Sequence, residues 1–225
     1  MKSDQLPLEL PPQVAMGRAD FLESPSNAAA LAAVLTPQRW PMPRLVIAGP
    51  NGSGRTHLSH IFAEITRGRV IQAAAITEAG PGCGPLAVDD AHLIAGKPAA
   101  EEALFHIYNS AQADAAPLLI LGRDLPGTWG IALPDLTSRL AACPLTELNA
   151  PDDNLLKMVL AKLFSERQLF PDTDVMTFLV ARMNRSLDEA RDLVAAIDSA
   201  ALAEQRRVTK RLAGEVLKEY SAVSR

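Results

Sequence analysis

The sequence predicts an α/β domain on a mostly parallel sheet, followed by a small all-helical domain. Three observations carry this expectation. Short apolar runs alternate with helical segments up to Ala150, the pattern of parallel strands with helices on both faces. Beyond Ala150-Pro151 strand patterns stop and helical spacing takes over. A glycine-rich loop, GPNGSGRT at 49–56, joins a predicted strand to a predicted helix.

In chain order, residues 1–17 carry three prolines and no helical period, and read as an extended lead-in. Ser26 and Asn27 offer caps for a helix through AAALAAVL, which stops near Pro37. Arg44–Gly49 reads as a buried strand. Further strands are expected at Arg69–Ala73, Leu86–Asp89, Leu118–Gly122 and Leu145–Leu148, with helices over 55–67, 98–113 and about 133–141. The predicted α/β domain spans 18–150 and the helical domain 151–225. In the latter, Asp152 can cap a helix with Leu155, Leu156, Val159, Leu160 and Leu163 at helical spacing. Val175, Phe178 and Leu179 mark a second helix. Ser186 and Glu189 form a capping-box pattern opening a third, and Thr209 opens a last one.

Composition narrows the function classes. Hydrophobic residues make up 48% of the 225 residues and the net charge is −4. That argues against a broad phosphate-neutralising surface and strong direct DNA binding. The basic pairs at 206–207 and 210–211 read as a solvated helix end. No run approaches the roughly 20 apolar residues a spanning helix needs, and the amino end lacks signal-peptide character, so no membrane role and a cytoplasmic location are expected. Cys83 and Cys143 stand far apart and read as ordinary thiols. The four histidines show no metal-type spacing.

The chemistry sits in the 49–56 loop. Glycines let the backbone curl until several N–H groups face an anion, and the following helix adds its partial positive end. Thr56 offers a hydroxyl for Mg²⁺. An unliganded strand-to-helix turn is the plainer reading, but the full G-x-x-x-x-G-[basic]-[ST] spacing favours a nucleotide, ADP or ATP. The basic position holds Arg55 where Lys is usual. A planar fork cannot sit where a compact ammonium sits, so binding is expected to survive the change better than fast hydrolysis. Downstream, LAVDDAH ends an apolar strand in Asp89 and Asp90, with Asp89 33 residues after Thr56. In phosphate-loop proteins such acids face Mg²⁺ and the attacking water.

SPSNAAALAAV (24–34), GPNGSGRTHLSH (49–60), LAVDDAH (86–92), LPDLTSRL (133–140) and the helical tail together resemble the DnaA/Hda family of AAA+ proteins over nearly the whole chain. The resemblance implies an AAA+ domain with a helical lid. It implies that Ser26 and Asn27 lie near the adenine, and that Gly49, Asn51, Gly52, Ser53, Gly54, Arg55, Thr56 and His57 surround the phosphates. Asp89 becomes a metal-holding acid with Thr56, Asp90 a catalytic acid, and Asp124 the residue at the first sensor position. Arg139 becomes an arginine finger aimed at a neighbouring subunit's nucleotide. Arg185, Asp188 and Arg191 share the place of the second sensor.

Two absences refine the expectation. The chain offers no room after the lid for an initiator's DNA-binding domain. Only 12 residues, 74 to 85, separate the second strand from the Asp-Asp strand, too few for an initiator's helical insertion. The opening QLPLEL places Gln5, Leu6, Leu8 and Leu10 in the pattern of a peptide that docks on the DNA polymerase III β sliding clamp, with Pro7 favouring extension. The expected function is a negative regulator of replication initiation. It would bind nucleotide, dock on the clamp and stimulate DnaA's ATPase through Arg139, with little ATPase of its own and a tendency to form homodimers. The alternatives are a self-contained AAA+ ATPase such as a helicase loader, and, less suited to the helical tail, a small-molecule phosphotransferase.

Overall fold

A computed structural model describes residues 16–76 and 84–223. Five strands form one parallel sheet: β1 (Arg44–Ala48), β2 (Arg69–Gln72), β3 (Leu86–Asp89), β4 (Leu118–Gly122) and β5 (Leu145–Glu147), in the order β2-β3-β4-β1-β5. β1 lies between β4 and β5, with Ala48 opposite Gly122 on one side and Glu147 on the other. Both β1 and β4 are buried throughout, which is why they read as continuous apolar runs rather than alternating ones.

Alternate strand residues serve two cores. Leu45, Ile47, Leu119 and Leu121 pack under α1 (Ala28–Leu35) and α2 (Arg55–Thr66). Val46, Val88, Leu118 and Ile120 pack under α3 (Pro98–Ala113) and α4 (Pro134–Ala141). Each fully buried leucine contributes about 2 kcal/mol by removal from water. A buried carboxylate fixes the second face: Glu101, 2% exposed, accepts the N–H groups of Gly96, Ala132 and Leu133. It thereby ties α3 to the segment that enters α4.

The helices α5 (Asp153–Glu166), α6 (Thr173–Val180), α7 (Leu187–Ala203) and α8 (Lys210–Val223) gather around a core of their own, including Leu156, Leu160, Phe164, Leu179, Leu193, Ile197 and Leu212. Asp152 caps α5 by accepting the Leu155 N–H at 2.8 Å, and that bond holds its carboxyl below the usual carboxylate range. Ser186 caps α7 through the Glu189 N–H at 3.2 Å. The expected reciprocal bond is displaced, because Glu189 reaches the N–H and side-chain amide of Asn184 instead.

The first helix corrects the expectation for its cap. Asn27 stands at the cap position, but its side chain turns back to accept from the Ser24 N–H at 2.9 Å and to donate to the Leu22 carbonyl. Competing local bonds of this kind are what Asn offers outside helices. Arg206, Lys210 and Arg211 pair with Glu215, Asp174 and Glu215 at the surface. Cys143 is buried; Cys83 and the Gln5–Leu10 motif lie outside the described residues.

Candidate functional site

The 49–56 loop leaves the carboxyl end of β1 and enters α2. Gly52 and Gly54 have φ of 66° and 101°, conformations a side chain resists. Gly49 is required for a different reason: a Cβ there would stand 2.6 Å from the Leu148 carbonyl oxygen. The loop therefore curls tightly and delivers the first N–H groups of α2 to one side, the arrangement that receives an anion.

Arg55 points back into this loop. It is 8% exposed. Its Nη1 donates to the Gly49 carbonyl at 2.6 Å, and its Nη2 donates to Asp90 Oδ1 at 2.8 Å and approaches Asn51 Oδ1 at 3.4 Å. Thr56 Oγ1 donates to Asp89 Oδ2 at 2.6 Å. Asp89 is fully buried, and its carboxylate also accepts from Gln72 Nε2 and the Asp90 N–H. His92 Nδ1 accepts the Arg123 N–H at 3.2 Å, joining the ends of β3 and β4. Burial holds its pKa below the ordinary histidine value, opposed by Asp90.

A cleft of about 690 Å³ lies over the loop. One wall is a segment preceding α1. Gly17's carbonyl is 2.9 Å from His57 Nε2, Phe21 meets the His57 ring edge-on at 5.0 Å, and Asp20 pairs with Lys162 of α5 at 2.9 Å. His57 is thus committed to this segment as donor, and burial lowers its pKa. The opposite wall is Leu155, Val159 and Leu163 of α5 with Leu187, Asp188 and Arg191 at the start of α7. α7 touches the loop directly: the Leu187 N–H donates to the Gly52 carbonyl at 2.7 Å, and Ser186 packs where a Gly52 side chain would be.

The structure brings Asn27, Asn51, Gly52, Gly54, Arg55, Thr56, His57 and Asp90 to this cleft, with Asp89 behind Thr56. It separates the others. Ser26 bonds Ser24 side chain to side chain, and Ser53 is buried on the Pro50 carbonyl. Asp124 corrects the expectation for the first sensor: it is two-thirds exposed, with φ of 57°, and pairs at the surface with Arg123, which is the residue of the two that lines the cleft. Of the three second-sensor candidates, Arg191 and Asp188 line the cleft and pair with each other at 3.0 Å, whereas Arg185 turns to Asp153. Arg139 is exposed on α4 and does not line this cleft.

Sequence reasoning missed Asp20, Phe21, Lys162 and Arg167 as cleft residues. The α5 stripe was visible, but its division into a core-facing row and a cleft-facing row needs the lid's position.

The residues fit a nucleoside polyphosphate with Mg²⁺. The glycine loop leaves a cradle that side chains would fill, Thr56 at the cleft with the buried Asp89 behind it is an oxygen donor set suited to a hard cation, and the apolar α5 wall suits a base. Backbone N–H groups of 52–56 and Arg55 would hold phosphates, and Thr56 with Asp89 would hold Mg²⁺.

Comparison with known proteins gives the following. Residues 153–217 match the family model for the Hda lid domain. An uncharacterized protein of Haemophilus influenzae is 27% identical over 180 residues, spanning 74% of this chain and 78% of that one. Domain III of the Thermotoga maritima replication initiation protein DnaA superposes with a TM-score of 0.77 at 20% identity, covering 91% of this chain and 96% of that one. The replication initiator DnaA bound to AMPPCP and single-stranded DNA gives 0.69 at 18%, covering 88% and 69%. The Thermotoga maritima RuvB Holliday junction branch migration motor gives 0.67 at 18%, covering 91% and 72%. At such identities the likeness shows the fold, an AAA+ α/β domain with a helical lid.

Proposed function

We propose that the chain is a DnaA/Hda-type AAA+ protein and a negative regulator of chromosomal replication initiation, a reading supported by the match of residues 153–217 to the Hda lid domain and by the fold shared with DnaA domain III. It binds adenine nucleotide in the cleft above the 49–56 loop, docks on the DNA-loaded sliding clamp through Gln5, Leu6, Leu8 and Leu10, and stimulates ATP hydrolysis by DnaA. It also tends to form homodimers.

One observation carries the reading. Arg139 is exposed and does not line its own cleft, while the cleft's own loop cation, Arg55, is already bonded to Asp90 and Gly49. On this reading Arg139 serves a neighbouring subunit, and Arg55 serves its own loop. An arginine supplied in trans stabilises charge that develops on a transferring phosphoryl group, an effect of order 10³–10⁵ in well-studied cases. Bound Mg²⁺ neutralises phosphate charge. The chain's own part is to hold nucleotide between loop and lid and to present α4. The DnaA–AMPPCP structure supports the nucleotide reading by shared fold.

The test is DnaA's ATPase with and without this protein, with and without clamp loaded on DNA. Stimulation that requires the clamp, disappears on deletion of residues 5–10, and disappears in Arg139→Ala with clamp binding intact is the expected result. Robust hydrolysis by this chain alone, with no effect on DnaA, would instead identify a self-contained ATPase such as a helicase loader.

A further inference from the structure

The face of the sheet opposite the cleft's α2 holds a buried cation with no counter-ion. Arg44 opens β1 and is 5% exposed. Among the described residues no carboxylate pairs with it, and its Nε has no hydrogen-bond partner. What it has is Tyr108 of α3: Nη1 donates to the Tyr108 hydroxyl at 3.0 Å, and the guanidinium carbon lies 4.4 Å from the ring centroid. A desolvated guanidinium is costly unless compensated, so Arg44 depends on the phenol oxygen and on the negative face of the ring. Tyr108 is itself 2% exposed. Burial pushes its pKa up, which keeps the phenol neutral.

The same ring lies beneath Arg139. The Arg139 guanidinium carbon is 5.8 Å from the Tyr108 centroid, inside the roughly 6 Å reach of a cation–π contact. Its Nη1 donates to Gln112 of α3 at 3.3 Å. Cys143 closes the cluster, with its sulfur 3.7 Å from the Tyr108 hydroxyl and 3.3 Å from the Arg139 carbonyl oxygen. An exposed arginine on an eight-residue helix would otherwise sample many rotamers. Here it has a fixed aromatic platform, and the platform is anchored to the strand that carries the phosphate loop at its other end.

We propose that Tyr108 is the positioning residue for Arg139 and that Arg44 fixes Tyr108. The inference rests on the reading of Arg139 as an arginine finger. The ring, not the hydroxyl, is the part that bears on Arg139. The hydroxyl serves Arg44.

The experiment compares Tyr108→Leu, Tyr108→Phe and Arg139→Ala in DnaA ATPase stimulation, and records the side-chain NMR signals of Arg139 in the wild-type, Tyr108→Leu and Tyr108→Phe proteins. Tyr108→Leu is expected to lower stimulation about 3- to 5-fold, the scale of an exposed cation–π contact. Tyr108→Phe stays within about 2-fold of wild type because it keeps the π face. The wild-type Arg139 signals carry a ring-current shift that Tyr108→Leu removes and Tyr108→Phe keeps. Equal loss in Leu and Phe variants with Arg139 signals unmoved makes Tyr108 merely structural and overturns the proposal. Unchanged stimulation and unchanged signals in Tyr108→Leu also overturn it. Should Tyr108→Leu fail to fold, the wild-type spectrum still decides, since absence of any ring-current shift on Arg139 is incompatible with the platform. If Arg139→Ala leaves stimulation intact while Tyr108→Leu still shifts the Arg139 signals, the finger reading fails and the positioning stands.

Discussion

Arg55 and Asp90 are bonded to each other across the phosphate loop, Nη2 to Oδ1 at 2.8 Å, with the other arm of the guanidinium on the Gly49 carbonyl. The loop cation is thus a structural member of the loop. Removing it leaves a half-buried carboxylate and a backbone oxygen without their donor. Arg55→Ala is expected to cost about 2 kcal/mol of stability, less than the 3–5 kcal/mol for breaking a fully buried pair because Asp90 retains some water. Nucleotide affinity should fall at least about tenfold with loss of the charge-assisted contact. Thermal unfolding and titration with fluorescent ADP check both. Unchanged affinity would remove Arg55 from the phosphate site.

Gly52 tests the contact between loop and lid. Gly52→Ala meets two penalties: a φ of 66°, and collision of the new methyl with Ser186. The expected loss is about 1–3 kcal/mol, with weaker nucleotide binding. Ser186→Gly costs only a few tenths of a kcal/mol as a cap change. The double variant Gly52→Ala/Ser186→Gly should therefore recover the collision part and keep the conformational part. A double variant no better than the sum of the singles would show that Ser186 does not press on the loop.

Glu101 is a third target. Its carboxylate satisfies three backbone N–H groups and sits outside the cleft. Glu101→Ala strands those donors and is expected to cost about 3 kcal/mol or more. Glu101→Gln keeps one acceptor oxygen and loses less. Because Ala132 and Leu133 lead into α4, the alanine variant should also impair the action of Arg139. Denaturant unfolding and DnaA ATPase stimulation would measure the two effects, and a neutral alanine variant would refute the role.

The pH dependence follows from His57 and His92. Burial, the largest cause in each case, lowers both folded-state pKa values below the ordinary 6.5. At pH above that value both states are neutral at these residues and nothing is gained or lost. As pH falls through 6.5 the unfolded chain takes protons that the folded chain resists, so stability declines until the folded pKa is reached and then levels off. His57→Gln should flatten the decline in melting temperature between about pH 7 and pH 5. An unchanged slope would mean that His57 is not desolvated.

Much of the fold was legible because its signals are local. β3 and β4 match their apolar runs to the residue, and Asp152 caps α5 where the sequence placed it. The loop could be read because its glycines are constrained by the backbone itself. What escaped was set by packing between distant segments. Asp20 and Lys162 meet across the cleft although nothing near either residue in sequence foretells it. Asp124 sits where a strand-end residue should face the site, but its left-handed backbone turns it outward and leaves Arg123 inside. Asn27 was chosen by residue type, and its amide found better partners upstream.

The strand order has a consequence for biosynthesis. β1, which ends in the phosphate loop, is flanked among the described residues by β4 and β5, both of which follow it in the chain. The Gly52 carbonyl waits longer still, for the N–H of Leu187. On a translating ribosome the loop emerges well before β4, β5 and α7, which complete its surroundings. Pairing between such distant segments is slow to close. A half-made chain therefore has no formed nucleotide site, and ligand capture reports that synthesis has passed the lid.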